Sequence, residues 1–297
     1  MQATRLGLIG YGEVGGIFCA GLKAQVDSVH AWDTKLADAA ASAPLRDRAA
    51  RDGVILCDSA AALCAAADLV ISAVTASNTV AVAREAAAHL RPGTVFLDLN
   101  SASPGAKREA AGLIEAADGH YVEAGVMTSV PPYGIRVPML LGGPHAETLA
   151  QRLRAFGMDA TAVSPELGVA SAIKMCRSVM IKGLEALVIE SYTAARAYGV
   201  EDYVLPTLQE TFPSIDWTEQ GRYFYSRVVK HGRRRAEEMR EVANTVREAG
   251  FEPWMAAATA EKQDWVAGLA ARGLFADVEA ADGWQAYADR LIAQARD

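Results

Sequence analysis

Six residues near the start of the chain constrain its fold more than any other feature: Gly10-Tyr11-Gly12-Glu13-Val14-Gly15, placed directly after the apolar run Leu6–Ile9. Gly-x-Gly-x-x-Gly between a strand and a helix demands a particular backbone. The first glycine makes a tight turn, the second clears the approach to the helix N-terminus, and the third lets helix and strand pack closely. A helix N-terminus exposed in this way attracts phosphate, so the turn implies a bound dinucleotide. Gly10, Tyr11, Gly12, Glu13, Val14 and Gly15 are therefore candidate cofactor contacts. Asp33 ends the second apolar run, at the spacing where a carboxylate accepts hydrogen bonds from ribose hydroxyls and disfavours a 2′-phosphate. The expected cofactor is NAD. Lys35, two residues on, can touch a 2′-phosphate, which keeps NADP open.

The rest of the N-terminal half repeats the same alternation. Arg5–Gly10, Ser28–Trp32, Val54–Cys57, Leu69–Val74 and Thr94–Leu97 read as buried strands, separated by the helical stretches Val14–Gln25, Ser59–Ala66, Ser77–Leu90 and Pro104–Ala116. His120–Ala124 and Val137–Leu141 add two more strands. Such a sequence predicts a parallel sheet covered on both faces. Ser164-Pro165-Glu166 then reads as a helix start, and Gly199 as its stop, with about 50 Å of helix between them. Four of the five tryptophans lie beyond it, and β-branched runs become rare. The expected fold class is α/β: a Rossmann-like, doubly wound, mostly parallel sheet over residues 1–164, followed by an all-helical domain over 165–297.

Bulk properties exclude several functions. A formal charge of −7 supplies no basic footprint for nucleic acid and no polybasic segment for a membrane. Apolar runs stop well short of a membrane span. Met1-Gln2-Ala3-Thr4 leads straight into a strand, leaving no room for a signal peptide. No Cys-x-x-Cys pair occurs among Cys19, Cys57, Cys64 and Cys176, so reduced thiols and a cytoplasmic location are expected. No cluster has metal-ligand spacing, and no metal is expected.

With these residues in hand, the chain resembles the β-hydroxyacid dehydrogenase family, which includes 6-phosphogluconate and 3-hydroxyisobutyrate dehydrogenases. Asp98-Leu99-Asn100-Ser101-Ala102-Ser103-Pro104 is similar to the family's Asp-x-Ser/Thr-Thr/Ser-x-x-Pro. Leu69–Thr75 resembles the strand whose end meets the cofactor. The resemblance thereby adds Val74, Thr75 and Asn100 to the cofactor contacts. Gly168-Val169-Ala170-Ser171-Ala172-Ile173-Lys174 resembles the helix that carries the family's catalytic lysine, which makes Lys174 the implied acid/base. The family's asparagine four residues later is Ser178 here, which the resemblance places with Lys174 as a catalytic candidate. Its Ser-Gly-Gly substrate loop is Met127-Thr128-Ser129, which changes what faces the substrate. The family's decarboxylating members carry a glutamate seven residues after the lysine. Ile181 stands there instead, favouring simple alcohol–carbonyl interconversion. The C-terminal half resembles a poorly characterised branch through His231-Gly232-Arg233-Arg234-Arg235-Ala236-Glu237-Glu238-Met239-Arg240. A homodimer is implied, with the active site between the two domains.

Periodicity alone reads Lys174 in two ways. Ser171, Lys174 and Ser178 share one stripe of an otherwise apolar helix. Burial there lowers a lysine's pKa toward proton transfer, whereas a lysine at a helix edge can simply reach solvent. Arg235, Met239, Val242 and Val246 recur at helical spacing, so Arg235 follows an apolar face while Arg234 can pair with Glu238. Arg177, His231 and Arg235 are candidate substrate contacts, Arg235 through bidentate binding of a carboxylate. Three functions follow: an NAD(P)-dependent alcohol–carbonyl oxidoreductase on a carboxylate-bearing small molecule, a reductase of imines or bulky ketones, or a dinucleotide-binding regulator without catalysis.

Overall fold

The structure is a computed structural model that describes residues 4–279 and 282–296. Met1, Gln2 and Ala3, on which the reading of the chain's start rests, lie outside the described residues. The chain divides into two compact units, one through Cys176 and the other from Arg177 onward. That divide falls inside a helix, later than the boundary expected at 164.

The first unit is a single sheet of eight strands: β1 Arg5–Ile9, β2 Ser28–Trp32, β3 Ile55–Leu56, β4 Leu69–Ser72, β5 Val95–Asp98, β6 His120–Val126, β7 Met139–Gly142 and β8 Ala160–Ser164. Their order is β3-β2-β1-β4-β5-β6-β7-β8. All neighbours run parallel except β6 and β7. Chain order reverses between β1 and β4, and in such sheets ligands bind at the carboxyl ends of the strands at this switch point. The glycine turn leaves β1 at this place. Helices α1 Glu13–Leu22, α2 Ala39–Asp52, α3 Ala60–Ala66, α4 Thr79–Ala87, α5 Pro104–Glu115 and α6 Ala146–Ala155 make the connections. The strands of the middle are mostly apolar, as in Leu69-Val70-Ile71, because both faces are buried.

Three elements escape the sequence pattern. Helix α2 buries only Ser42, Leu45 and Ala49 and carries Pro44 inside it, so its apolar signal is faint. Helix α6 follows a Gly-Gly-Pro break, and β8 is a half-exposed strand of small residues.

The long helix α7, Val169–Tyr198, begins four residues later than Ser164-Pro165 suggests. Ser164 belongs to β8, and its Oγ accepts from Glu166 N (2.9 Å) to form a turn. Gly168, at φ +98°, then swings the chain into the helix. Its end matches expectation. Gly199 sits at φ +67°, with Gly199 N donating to the Arg196 carbonyl and Val200 N to the Ala195 carbonyl.

The second unit continues with α8 Glu201–Thr211, α9 Trp217–Glu248, α10 Trp254–Ala271 and α11 Gly283–Arg296. Its core gathers Ile189, Tyr192, Phe224, Tyr225, Val228 and Trp284. Although its sequence reads as apolar around most of the helix, α7 exposes Ile173, Met180, Ile181 and Leu187, while Ser171, Ser178, Lys182 and Glu185 are buried. Its inward face is held by ionic and hydrogen-bonded partners, described below, which a hydrophobicity pattern cannot anticipate. Among the described residues, no helix is long and apolar enough to cross a membrane.

Candidate active site

At the switch point the three glycines serve different needs. Gly10 adopts φ +94°, and a Cβ there would stand 2.5 Å from the Ala73 carbonyl oxygen at the end of β4. A Cβ on Gly15 would fall 2.0 Å from the Gly10 carbonyl oxygen, so the helix can approach its own turn only without a side chain. Gly12 is the contrast. No atom lies within 4 Å of where its Cβ would be, so the fold itself does not require glycine there. What the missing side chain preserves is open space at the N-terminus of α1, which fits a pyrophosphate approaching the backbone. Glu13 is exposed in the first turn, and Val14 packs against the core.

Tyr11 differs from expectation. Its side chain is fully buried in the core, so only its backbone faces the turn. Arg48 of α2 lies 4.1 Å over the Tyr11 ring and donates to the Tyr11 carbonyl, bracing the turn from behind. Burial pushes the Tyr11 hydroxyl pKa up.

Beside the turn, at the carboxyl ends of β2 and β3, opens a cavity of about 230 Å³ lined by Trp32, Asp33, Thr34, Arg46, Leu56 and Asp58, among others. Asp33 Oδ1 also accepts from Lys35 N (2.9 Å), capping a short turn that fixes the carboxylate in the cavity wall. A larger cavity of about 340 Å³ lies in the second unit among Ile189, Thr193, Lys262, Trp265 and Leu291. Its charged lining, Glu190 and Lys262, is paired at 2.7 Å, and it lacks the glycine turn, so the smaller cavity is the one that belongs to the site.

The opposite side of the switch point is organised by a buried polar network. Lys107 and Asp98, both inaccessible, form an ion pair at 2.9 Å. Tyr121 donates to Asp98 Oδ2 (2.6 Å), and Asn100 N to Asp98 Oδ1 (2.8 Å). Burial and the adjacent Asp98 carboxylate push the Tyr121 hydroxyl pKa well up. Asn100 then reaches across to β4, accepting from Val74 N (2.7 Å) and donating to Ser72 Oγ (3.0 Å). Val74 and Asn100 are thus joined at the strand ends, with Thr75 exposed next to them. The following residue, Ser101, accepts from Lys174 Nζ at 2.5 Å.

Lys174 is held there by the start of α7. Glu123 on β6, fully buried, accepts from both Gly168 N (2.8 Å) and Ala170 N (3.0 Å), capping α7 from a distance of some forty residues in sequence. Gly125 brings β6 against the helix, since a Cβ there would stand 2.9 Å from the Ala170 carbonyl oxygen and 3.4 Å from Lys174 Cβ. Met127, Thr128 and Ser129 follow within four residues, with Met127 N bonded to the Pro138 carbonyl. Cofactor turn, Asn100, Ser101 and Lys174 all lie in the first unit, with the Met127–Ser129 loop leaving β6 beside them.

The remaining candidates lie in the second unit. Arg177 is exposed on α7 and His231 half-buried on α9. Ser178 is buried and accepts from Lys182 Nζ (3.3 Å), which pairs with Glu238 at 2.8 Å. Arg235 is buried with its guanidinium on both Glu185 oxygens, and Gln263 Nε2 adds a third donor at 3.3 Å. Nε and Nη2 are spent on Glu185 inside the unit, and Arg235 lines neither of the two cavities above. A buried arginine on an apolar helix face reads the same in sequence whether its partner is a substrate or a glutamate two helices away. Arg234 pairs with Glu238 as its spacing suggests, at 3.8 Å. Sequence reasoning missed Ser101, Arg48, Arg46 and Lys182. Only Ser101 had a visible signal, its place beside Asn100. Among the described residues no group of His, Cys, Asp and Glu can hold a metal ion.

This geometry, a nucleotide-type glycine turn at the switch point of a doubly wound sheet, defines a dinucleotide-binding domain. Residues 5–151 match the NAD binding domain of 6-phosphogluconate dehydrogenase, and residues 195–266 match a domain of unknown function, DUF1932. The chain belongs to the 3-hydroxyacid dehydrogenase-like proteins that join these two domains. A conserved hypothetical protein from Sinorhizobium meliloti 1021 is 40% identical, with 99% of this chain and 97% of that one covered and a TM-score of 0.77. A conserved protein of unknown function, described as structurally similar to 3-hydroxyacid dehydrogenases, is 33% identical over 90% of this chain and 98% of its own, with a TM-score of 0.68. The 3-hydroxyisobutyrate dehydrogenase of Mycobacterium tuberculosis, solved with L-serine, shares the fold at 18% identity, with both chains fully covered and a TM-score of 0.67.

Proposed function

We propose that the protein is an NAD(P)-dependent oxidoreductase that interconverts a hydroxyl and a carbonyl on a small carboxylate-bearing molecule, with Lys174 as general acid/base. One observation carries the reading: Lys174 Nζ meets Ser101 Oγ at 2.5 Å, on the loop that Asn100 ties to the end of β4, beside the glycine turn. An ammonium can only donate, so the Ser101 oxygen accepts and its own proton is left to point at a substrate oxygen.

The turn 10–15, with Asp33 and Val74, would hold the dinucleotide. When bound, its nicotinamide supplies the hydride acceptor or donor. In the oxidative direction Lys174, in its neutral form, takes the proton from the substrate hydroxyl. In the reductive direction its ammonium donates to the carbonyl oxygen and returns the proton. Glu123 and Gly125 keep the helix start against β6, so that the amine is held rather than sampling solvent. Met127, Thr128 and Ser129 contact the substrate in this reading. The 33%-identical relative described as similar to 3-hydroxyacid dehydrogenases supports a hydroxyacid over an imine. A homodimer is part of the proposal, supported by exposed apolar side chains such as Met180 (73%) and Trp254 (78%).

The test is absorbance at 340 nm with NAD and with NADP against a panel of hydroxyacids, amino alcohols and aryl-substituted diols. Substrate-dependent reduction is expected with at least one hydroxyacid. Tight NADH binding with no turnover on any panel member, in either direction, would instead mark a regulator.

A further inference from the structure

The cavity beside the glycine turn contains an arginine that the acidic signature at Asp33 does not account for. Asp33 and Arg46 line the same cavity of about 230 Å³. Both border that one space, yet among the described residues they form no ion pair, and the Arg46 side chain makes no hydrogen bond. The helix sets this arrangement. Asp38 caps α2, accepting from Ala41 N (2.9 Å), and the helix buries Ser42, Leu45 and Ala49. Arg46, one residue past Leu45, is turned about 100° from that buried face, to the edge beside the cavity. Lys35, the cation that sequence spacing suggests, is exposed and does not line the cavity.

The electrostatics of the cavity are therefore mixed. Asp33 and Asp58 contribute two carboxylates and Arg46 the one guanidinium. An unesterified ribose offers hydroxyl donors, which suit Asp33. A 2′-phosphate brings close to two negative charges and would meet both carboxylates; the cation facing it is Arg46. Guanidinium is also the group whose paired N–H donors match phosphate oxygens best.

We infer that the cavity accepts both NAD and NADP, and that Arg46 is the residue on which acceptance of the 2′-phosphate depends, with Asp33 setting a preference for NAD. This rests on the dinucleotide reading above and adds to it the residue that decides the cofactor.

The test is equilibrium titration of the full chain with NADH and NADPH, followed by nicotinamide fluorescence, which needs no substrate. Wild type binds both, NADPH more weakly. Arg46→Ala weakens NADPH by about 10- to 100-fold, the range for losing a charge-assisted hydrogen bond, and leaves NADH within about twofold. Arg46→Lys recovers part of the loss. Asp33→Asn strengthens NADPH only while Arg46 is present. The inference is overturned if wild type binds NADH alone, if Arg46→Ala leaves NADPH unchanged, or if it weakens both cofactors equally. Binding of NADH alone would leave the oxidoreductase reading standing. Binding of neither dinucleotide would remove both.

Discussion

Each unit of the molecule buries an ionic network, and the two networks do different things. In the first unit Lys107, Asp98 and Tyr121 converge at the end of β5 and pass their order outward, through Asn100 to Val74 and to the loop bearing Ser101. In the second, Arg235, Glu185 and Gln263 join α9, α7 and α10 to one another, and Arg235 Nε and Nη2 and both Glu185 oxygens are used up doing so. Burial of charge is common to both. What separates them is whether the last member of the network ends on the cleft or on another helix. A buried arginine is thus poor evidence for a site until its partner is known, and Lys174 matters because its partner Ser101 lies at the switch point.

The largest expected effect breaks the second network. Arg235→Met or Glu185→Leu alone should cost about 3–5 kcal/mol, because each strands a buried charge. The double variant should recover most of the loss, and urea unfolding measures all three. If the single changes are mild, the pair is not the weld described.

A sharper contrast within the first unit comes next. Glu123→Ala should cost about 2 kcal/mol, by removing the acceptor for two buried N–H groups at the start of α7. It should also lower turnover more than NADH binding, since it loosens the lysine and not the turn. For the glycines, Gly15→Ala should destabilise by about 1–3 kcal/mol through its clash with the Gly10 carbonyl. Gly12→Ala should unfold like wild type yet bind NADH at least about tenfold more weakly. Equal effects from the two glycine changes would mean that Gly12 is kept for packing.

The last comparison is a pH dependence. Burial pushes the Cys19 and Cys64 thiols up to about 12. An unfolded thiol ionises near about 8.5, so the folded values are raised and the neutral form is favoured in the native state. That contribution is intact below about pH 8.5 and declines as pH climbs toward 12, by at most about 1.4 kcal/mol per unit for each thiol. Unfolding midpoints between pH 8 and 10 should fall, and fall less in Cys64→Ala.

These comparisons also explain what could be read from the chain. Gly10 and Gly15 announce themselves because the backbone forbids anything else there, and alternating apolar runs fix the strands because both faces are buried. Lys174 was singled out through its motif. The start of α7 was not, because its cap is Glu123, far away in sequence, while Ser164 made a local turn that imitates a cap. Arg46 was hidden on α2, a helix with little apolar signal. Tyr11 was misread because a motif position does not say which way a side chain points.

The central claim is that Lys174 moves the proton at a site where a dinucleotide binds. It is tested most directly by comparing wild type and Lys174→Met for NADH affinity and for substrate-dependent change at 340 nm, using whichever hydroxyacid the panel identifies. Unchanged NADH affinity with turnover reduced at least about a hundredfold is the predicted result. Turnover like that of wild type, with NADH affinity intact, would contradict it.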